Sequence, residues 1–272
     1  VAKESHEDSL TGLANRRHFE VEFKSWISNL QQEGTDFAVF YIDLDRFKSV
    51  NDTLGHDAGD RLLISVAGML RQLTNEKDLV ARLGGDEFII LRPLGDSALT
   101  ISDLADAIVQ EMKAPFLFEG KTVFCSASVG VAIANAKMDV PEQVIADADI
   151  ALYHAKSKGK GCWSFFTEEM HAAAIVTKQL VSDLLVACEE REFVPYFQPV
   201  IDAETGRFVS AEVLVRWLHP TLGLLPPSAF LETAASVGLL KRIDEITFAT
   251  LPDILASFDA AGVDPPRLSI NI

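Results

Sequence analysis

Cysteine is scarce in this chain and poorly spaced for chemistry. Cys125, Cys162 and Cys188 are the only three in 272 residues, an odd number without metal-ligand spacing, which excludes a disulfide framework or a zinc cluster as the organising element. They read as thiols of a reducing compartment. The six histidines, His6, His18, His56, His154, His171 and His219, are equally scattered and offer no zinc site. Basic residues are outnumbered, 24 against 40 acidic ones, and the formal charge of -16 removes the broad cationic surface that binds polymeric nucleic acid. An anionic substrate must be met locally, by a metal ion or a few placed lysines. No uninterrupted apolar run approaches the roughly 18 residues of a membrane span, and no signal peptide is expected. The expected setting is cytoplasmic, with any membrane anchor upstream, since a chain starting at Val1 reads as a segment of something longer.

What the chain does have is apolar material, 48% of its residues, and length for about two domains at the usual 100 to 200 residues each. Phe19, Phe23, Trp26, Ile27 and Leu30 recur at helical spacing, predicting an amphipathic helix over residues 16–32 that stops near Gly34. The apolar run 37–42 reads as a buried strand delivering Asp43 and Asp45 at its end. Leu62, Leu63, Val66, Ala67 and Leu70 predict a second helix, entered through a turn at 55–60. Short strands at 79–83 and 88–91 flank Gly84-Gly85 as a hairpin, because glycine supplies the positive φ that tight turns need. A helix over 104–112, a long strand over 123–133, a helix from Pro141 to about Lys156 and a short strand at 163–165 follow. This order is that of a ferredoxin-like, palm-type antiparallel sheet with covering helices, an α/β (α+β) fold. A connector helix at 167–191 separates a first domain, 1–166, from a second, 192–272. There, strands at 193–197, 208–215 and 267–272 alternate with helices at 228–237 and 243–255 as in a (β/α) barrel. Such a barrel takes about 250 residues, so an incomplete N-terminal portion is expected.

The chemistry concentrates where acids meet tight turns. Asp43 and Asp45 point the same way from their strand, and if that strand neighbours the hairpin, Asp43 meets Asp86 at one edge of the sheet. Two carboxylates a few Å apart repel unless a cation lies between them. Hard oxygen ligands, with a carbonyl to complete the set, select Mg2+ or Mn2+. Lys48 follows the acids, and Lys156, Lys158 and Lys160 surround a glycine-flanked loop, so a polyphosphate can be clamped from two sides. Read singly, the acids are also turn or cap residues, and the lysines a solvated helix end.

A series of ordered blocks carries a resemblance: residues 8–17 (Asp8-Ser9-Leu10-Thr11-Gly12-Leu13-Ala14-Asn15-Arg16-Arg17), Asp43-Leu44-Asp45-Arg46-Phe47-Lys48, Asn51-Asp52, Gly55-His56-Asp57-Ala58-Gly59-Asp60, Gly84-Gly85-Asp86-Glu87-Phe88 and Ala151-Leu152-Tyr153-His154-Ala155-Lys156. From Asp8 to about Phe165 the chain resembles the GGDEF family of diguanylate cyclases. The resemblance implies a Mg2+- or Mn2+-dependent homodimer that condenses two GTP into cyclic di-GMP and two pyrophosphates. By it, Asp43, Asp86 and Glu87 are catalytic; Asp43, Asp86, Glu87 and the Leu44 carbonyl are metal ligands, with Glu87 doubling as a base. Asn51 and Asp60 read the guanine edge, where a carboxylate accepts from N1–H and the amino group and an amide serves the O6 and N3 side. Phe47 and Lys48 lie along the phosphates, Lys156 and Lys160 contact the β and γ groups, and Asp8 and Arg16 organise the N-terminal turn. Each site holds one GTP, so closing a symmetric ring takes two subunits face to face. An upstream sensor domain is the expected source of regulation. The competing reading is a catalytically silent GTP-binding domain that controls a C-terminal cyclic-di-GMP phosphodiesterase. One departure bears on feedback: where the family often carries an inhibitory Arg-x-x-Asp, this chain has Asn75-Glu76-Lys77-Asp78, without the two-pronged guanidinium contact.

The second domain resembles the N-terminal portion of an EAL-type cyclic-di-GMP phosphodiesterase. It does so through Tyr196-Phe197-Gln198-Pro199-Val200, Glu212-Val213-Leu214-Val215-Arg216-Trp217, His219-Pro220, Gly223 and Pro226, with valine where the signature has alanine. The resemblance implies Glu212 and Asn271 as metal ligands, Arg216 as a phosphate contact and Gln198 beside the substrate. The remaining ligands are expected after Ile272, so this portion alone is expected to lack phosphodiesterase activity.

Overall fold

A computed structural model describes residues 6–95 and 100–270, and the chain divides into two compact units, Val1–Ala172 and Ala173–Ile272. In the first, β1 (Ala14–Asn15) leads into α1 (Arg16–Glu33). The Asn15 side chain accepts from the His18 amide at 2.9 Å, and Gly34, at φ 70°, closes the helix by donating its N–H to the Leu30 carbonyl. Next come β2 (Phe37–Asp45), α2 (Phe47–Leu54), α3 (His56–Leu73) and the hairpin β3 (Leu79–Gly84) and β4 (Glu87–Pro93). The unit is completed by α4 (Ile101–Glu111), a small hairpin of β5 (Phe116–Phe118) and β6 (Lys121–Val123), then β7 (Ser126–Ala134), α5 (Val144–Ser157) and β8 (Trp163–Phe165).

The six-stranded sheet has the order β1-β3-β4-β2-β7-β8, antiparallel through its four central strands and parallel at both edges. Alternation along β2 sends Ala38, Phe40, Ile42 and Leu44 into a core with α3 and α4, and Phe37 and Val39 into a second core with α1 and α5. Helices cover both faces, which is why β2 reads as an unbroken apolar run. At Gly130 of β7, α5 comes closer than a side chain allows: a Cβ there would stand 2.0 Å from the Ala148 carbonyl oxygen and 2.2 Å from the Leu152 amide nitrogen.

Three element boundaries depart from the sequence pattern. Residues 47–54 form a helix, and residues 56–60 are the first turns of α3 rather than a loop. Gly55, at φ 87°, joins the two helices. The strand expected over 123–133 is interrupted between β6 and β7, where Phe124 turns out to solvent and Cys125 turns inward.

The second unit opens with the later part of α6 (Glu168–Glu190), followed by β9 (Phe193–Ile201), β10 (Phe208–His219), β11 (Gly223–Leu225), α7 (Leu231–Ser236), α8 (Leu240–Ala249), α9 (Leu251–Ala260) and β12 (Leu268–Ile270). β10 is its axis, antiparallel to β9 and β11 and parallel to β12. Among the described residues the result is a partial (β/α) arrangement with no closed barrel. Leu184, Ala187, Cys188, Phe193, Trp217, Phe230, Ala234 and Ile243 form its core, and the Trp217 indole N–H is satisfied by Glu192 at 2.8 Å. The helix expected over 243–255 is two helices, broken at Thr250 just before Pro252. Among the described residues α6 alone is long and apolar enough to cross a membrane, with a mean hydropathy of 1.3 over its best window. Counting uninterrupted apolar residues misses it because Lys178 and Asp183 punctuate the helix. Its Leu184, Ala187 and Cys188 are packed in the core just described.

Candidate active site

The end of the sheet beyond β2 and β4 is where the sequence places its acids. Asp43 lies directly opposite Glu87 in the antiparallel register, so both carboxylates leave the same face, beside the two-residue turn Gly85-Asp86. Gly84 at φ 144° and Gly85 at φ 53° permit that turn. Two guanidinium groups hold it. Arg16 Nε donates to the Leu83 carbonyl at 3.0 Å, and Arg82 Nε and Nη2 donate to the Gly85 carbonyl at 3.1 and 2.8 Å. Arg82 is fixed in turn by Asp8, which also accepts from the Thr11 amide and hydroxyl. Burial works against the Asp8 charge, but these bonds hold its carboxyl below the usual aspartate range. Asp8 thus organises the N-terminal turn, whereas Arg16 reaches past it to the glycine turn and to Glu87, 4.0 Å away.

Asp43 is half-buried. Burial lifts its carboxyl above the usual range, and the Asp86 and Asp45 charges push it the same way, while the Lys156 ammonium, 2.8 Å from Oδ1, opposes them. Cys125 senses the same field, its thiol pushed up to about 12 by burial first and then by Asp45, Asp86 and Asp43. On the Asp43 face, Glu87 is engaged by the Tyr41 hydroxyl, which burial and then Glu87 raise to about 12. Excess negative charge in a partly dry setting is the condition that a hard dication relieves. The donor chemistry fits: the Asp43 and Asp86 carboxylates and the Leu44 carbonyl all offer oxygen, the atom that hard dications prefer. A bond from Leu44 N–H to the Asp86 carbonyl, 3.3 Å, ties the two acids together through the backbone. Among the described residues no three His, Cys, Asp or Glu side chains converge as a ready metal cluster. Two carboxylates and a carbonyl are a ligand number that suits Mg2+, which commonly keeps several waters in its shell.

α2 and α3 pack against the opposite core through Val50 and Ala58 and present a second group. Asn51 is pressed to Gly59, where a Cβ would fall 2.0 Å from Asn51 Oδ1 and 3.1 Å from Phe47 Cζ. That Oδ1 is buried without a hydrogen-bond partner, an unmet acceptor of the kind that calls for an explanation. Asp60, the next residue on α3, and Lys48 on α2 are exposed. Lys160 is exposed between Gly159 and Gly161, all three at positive φ. The structure therefore brings Asp43, Asp86 and Lys156 into one cluster and Phe47 and Asn51 into another.

The roles of two residues escape the sequence reading. Arg82, the lone charge in an otherwise apolar strand, was the available signal for a buried tie. Asp45, the second acid on the Asp43 face, is buried and accepts three hydrogen bonds.

In the second unit Gln198 stands directly opposite Glu212, which also neighbours Ser269 of β12. Arg216, further along the same face of β10, lies over the Tyr196 ring at 5.6 Å, and its Nη1 donates to the Val215 carbonyl. Asn271 lies outside the described residues.

Residues 5–162 match the family described as diguanylate cyclase, GGDEF domain, and residues 181–272 match the EAL domain. The chain is 38% identical over 238 residues to the bifunctional diguanylate cyclase/cyclic di-GMP phosphodiesterase MucR of Pseudomonas aeruginosa, covering 88% of this chain and 35% of that one. It is 35% identical over 265 residues to the cyclic di-GMP phosphodiesterase NbdA of the same organism, covering 97% and 34%. A solved structure comprising only the GGDEF domain of TpbB, also from Pseudomonas aeruginosa, superposes with a TM-score of 0.58 at 40% identity, covering 62% of this chain and 99% of that one. The chain spans about a third of the length of the curated relatives it matches over most of its residues.

Proposed function

Because the chain belongs to the GGDEF family of diguanylate cyclase domains and continues into an EAL domain segment, we propose that its first part condenses two GTP into cyclic di-GMP and two pyrophosphates as a homodimer. The observation that carries this reading is Asp43, half-buried, raised by burial and by Asp86, and shared with the Lys156 ammonium. Asp43, Asp86 and the Leu44 carbonyl would hold Mg2+ or Mn2+, with Glu87 as a further acid on that face. When bound, the cation supplies charge neutralisation at phosphate oxygens and a lowered pKa for the attacking hydroxyl.

The chain's own residues do the rest. Asn51, with its unpaired buried oxygen, and Asp60 read the guanine edge, and Phe47 and Lys48 line the phosphates. Lys156 and Lys160 steady the β and γ groups and the departing pyrophosphate, an electrostatic contribution. Glu87 would receive the proton of the attacking 3′-OH. Each subunit offers one nucleotide, so the symmetric ring closes only when two sites face each other. We assign 1–166 to this cyclase domain, 167–191 to a connector and 192–272 to the start of a phosphodiesterase domain, with Gln198, Glu212, Arg216 and Asn271 beginning its site. An upstream sensor would set the balance of the two activities in the whole protein.

Incubation of the chain with GTP and Mg2+, followed by anion-exchange analysis, is expected to yield cyclic di-GMP. Saturable GTP binding with no product would instead support a silent regulatory domain, and no Mg2+-dependent GTP binding would sink both readings.

Feedback through residues 75–78 is expected to be weak. The Asp78 side chain is fully buried and paired with Arg92, Nη2 to Oδ2 at 2.6 Å, so the carboxylate that a ligand would need is already committed. Asn75→Arg should leave cyclic di-GMP affinity unchanged by calorimetry. A gain of about tenfold, ~1.4 kcal/mol, would mean that the arginine was all the site lacked.

A further inference from the structure

We propose that Asp45 is a positioning residue whose buried carboxylate latches the lysine-bearing loop after α5 to the end of β2, thereby setting where Lys160 stands. The identity of the anion that Lys160 meets, a nucleoside triphosphate, rests on the cyclase reading above; the latch itself does not.

Asp45 is 5% exposed. Its Oδ2 accepts from the Ser126 hydroxyl at 2.7 Å and from the Gly161 N–H at 2.9 Å, and its Oδ1 accepts from the Ser128 hydroxyl at 2.8 Å. Three donors converging on one buried carboxylate satisfy its charge and fix its rotamer. One of them belongs to the loop. Gly159, Lys160 and Gly161 have φ of 119°, 68° and 59°, a run of left-handed backbone that includes a residue with a side chain. Such a conformation persists only where the surroundings over-determine it. The loop also packs on β7, where a Cβ at Gly161 would lie 3.4 Å from Ser126 Cβ.

Four residues before Lys160, Lys156 sits on Asp43. The segment from Lys156 to Gly161 is thus fastened at both ends to acids two residues apart on one strand. The fastenings differ in kind. Lys156–Asp43 is a part-exposed ion pair open to exchange with a phosphate, whereas Gly161–Asp45 is a backbone bond to a buried carboxylate. The first lysine can release its acid while the second keeps its place.

Asp45→Asn keeps the shape but removes the charge that strengthens all three bonds and leaves one acceptor oxygen where two stood. The expected result is a KM for GTP raised about tenfold, the size of one lost charge-assisted hydrogen bond, with kcat nearly unchanged. Lys160→Ala should raise KM comparably in the wild-type chain and add little in the Asp45→Asn background. Independently of nucleotide, amide exchange at Gly161 should lose protection in Asp45→Asn while β2 and β4 keep theirs. Full additivity of the two substitutions, or unchanged Gly161 protection, would overturn the latch. A wild-type chain that binds no GTP would instead count against the cyclase reading, and the exchange measurement would still decide the latch. Should Asp45→Asn not fold, the wild-type chain decides the latch: its Gly161 amide should be protected to the degree of the β2 amides, and exchange as fast as that of an open loop would overturn it.

Discussion

Asp86→Ala is expected to cut cyclic di-GMP formation by roughly 10^3-fold, about 4 kcal/mol of transition-state stabilisation, without loosening the fold. Asp86 sits on a two-residue turn outside both cores, and the bond that it gives to the structure, from Leu44 N–H, ends on its backbone carbonyl. The alanine keeps that bond. The turn is gripped from both sides by Arg16 and Arg82 through the carbonyls of Leu83 and Gly85, so neither grip depends on the deleted carboxylate. Removing the Asp86 charge also relieves Asp43, whose carboxyl it helps to hold above the usual range. The melting temperature should therefore stay level or rise slightly, the pattern of an acid retained for activity against stability. Initial rates by anion exchange beside calorimetric melting separate the two effects. Activity retained within tenfold, or a melting temperature lowered by many degrees, would remove Asp86 from the catalytic set.

Gly130→Ala is expected to do the reverse, costing stability first. The three atoms nearest the added methyl are Ala148 O, Leu152 N and Leu152 Cα, the farthest at 2.8 Å. All are backbone of one rigid helix, so no side chain can swing aside. Overpacking of this kind usually costs about 1–3 kcal/mol and more where nothing yields, and roughly 3 kcal/mol or above is expected here. For a unit of this size that lowers the unfolding transition by on the order of 6–12 °C. Any accommodation must lift α5 from β7 and carry Lys156 away from Asp43, so residual folded protein should also be a poorer cyclase. An unchanged transition with full activity would show that the helix slides freely on the sheet.

Much of this was legible in the chain itself, for reasons of periodicity. The 3.6-residue stripe of α1 and the two-sided burial of β2 both write themselves into apolar spacing, and the period of two along β2 puts Asp43 and Asp45 on one face before any coordinates are known. α2 was not legible. It has eight residues, with Phe47, Val50 and Leu54 its apolar positions, and its Asn51, Asp52 and Thr53 are weak helix formers. Gly55 then reads as punctuation although it links two helices. Within the site, the acids and lysines are visible as residue types, but the ties that hold the glycine turn are not. Arg16 and Arg82 bond to main-chain carbonyls, which carry no residue identity to pair with. The Asp78–Arg92 pair spans the width of a hairpin and becomes visible only once β3 and β4 are in register.

Gly59 bears on how base preference in this domain could be altered. The amide of Asn51 occupies the volume that a Cβ at Gly59 would claim, so the proposed guanine reader and the glycine behind it form one steric unit. Any substitution at 59 evicts the reader before it meets a nucleotide. Retargeting the pocket toward adenine accordingly runs through Asp60, whose exposed carboxylate can be exchanged without separating α2 from α3.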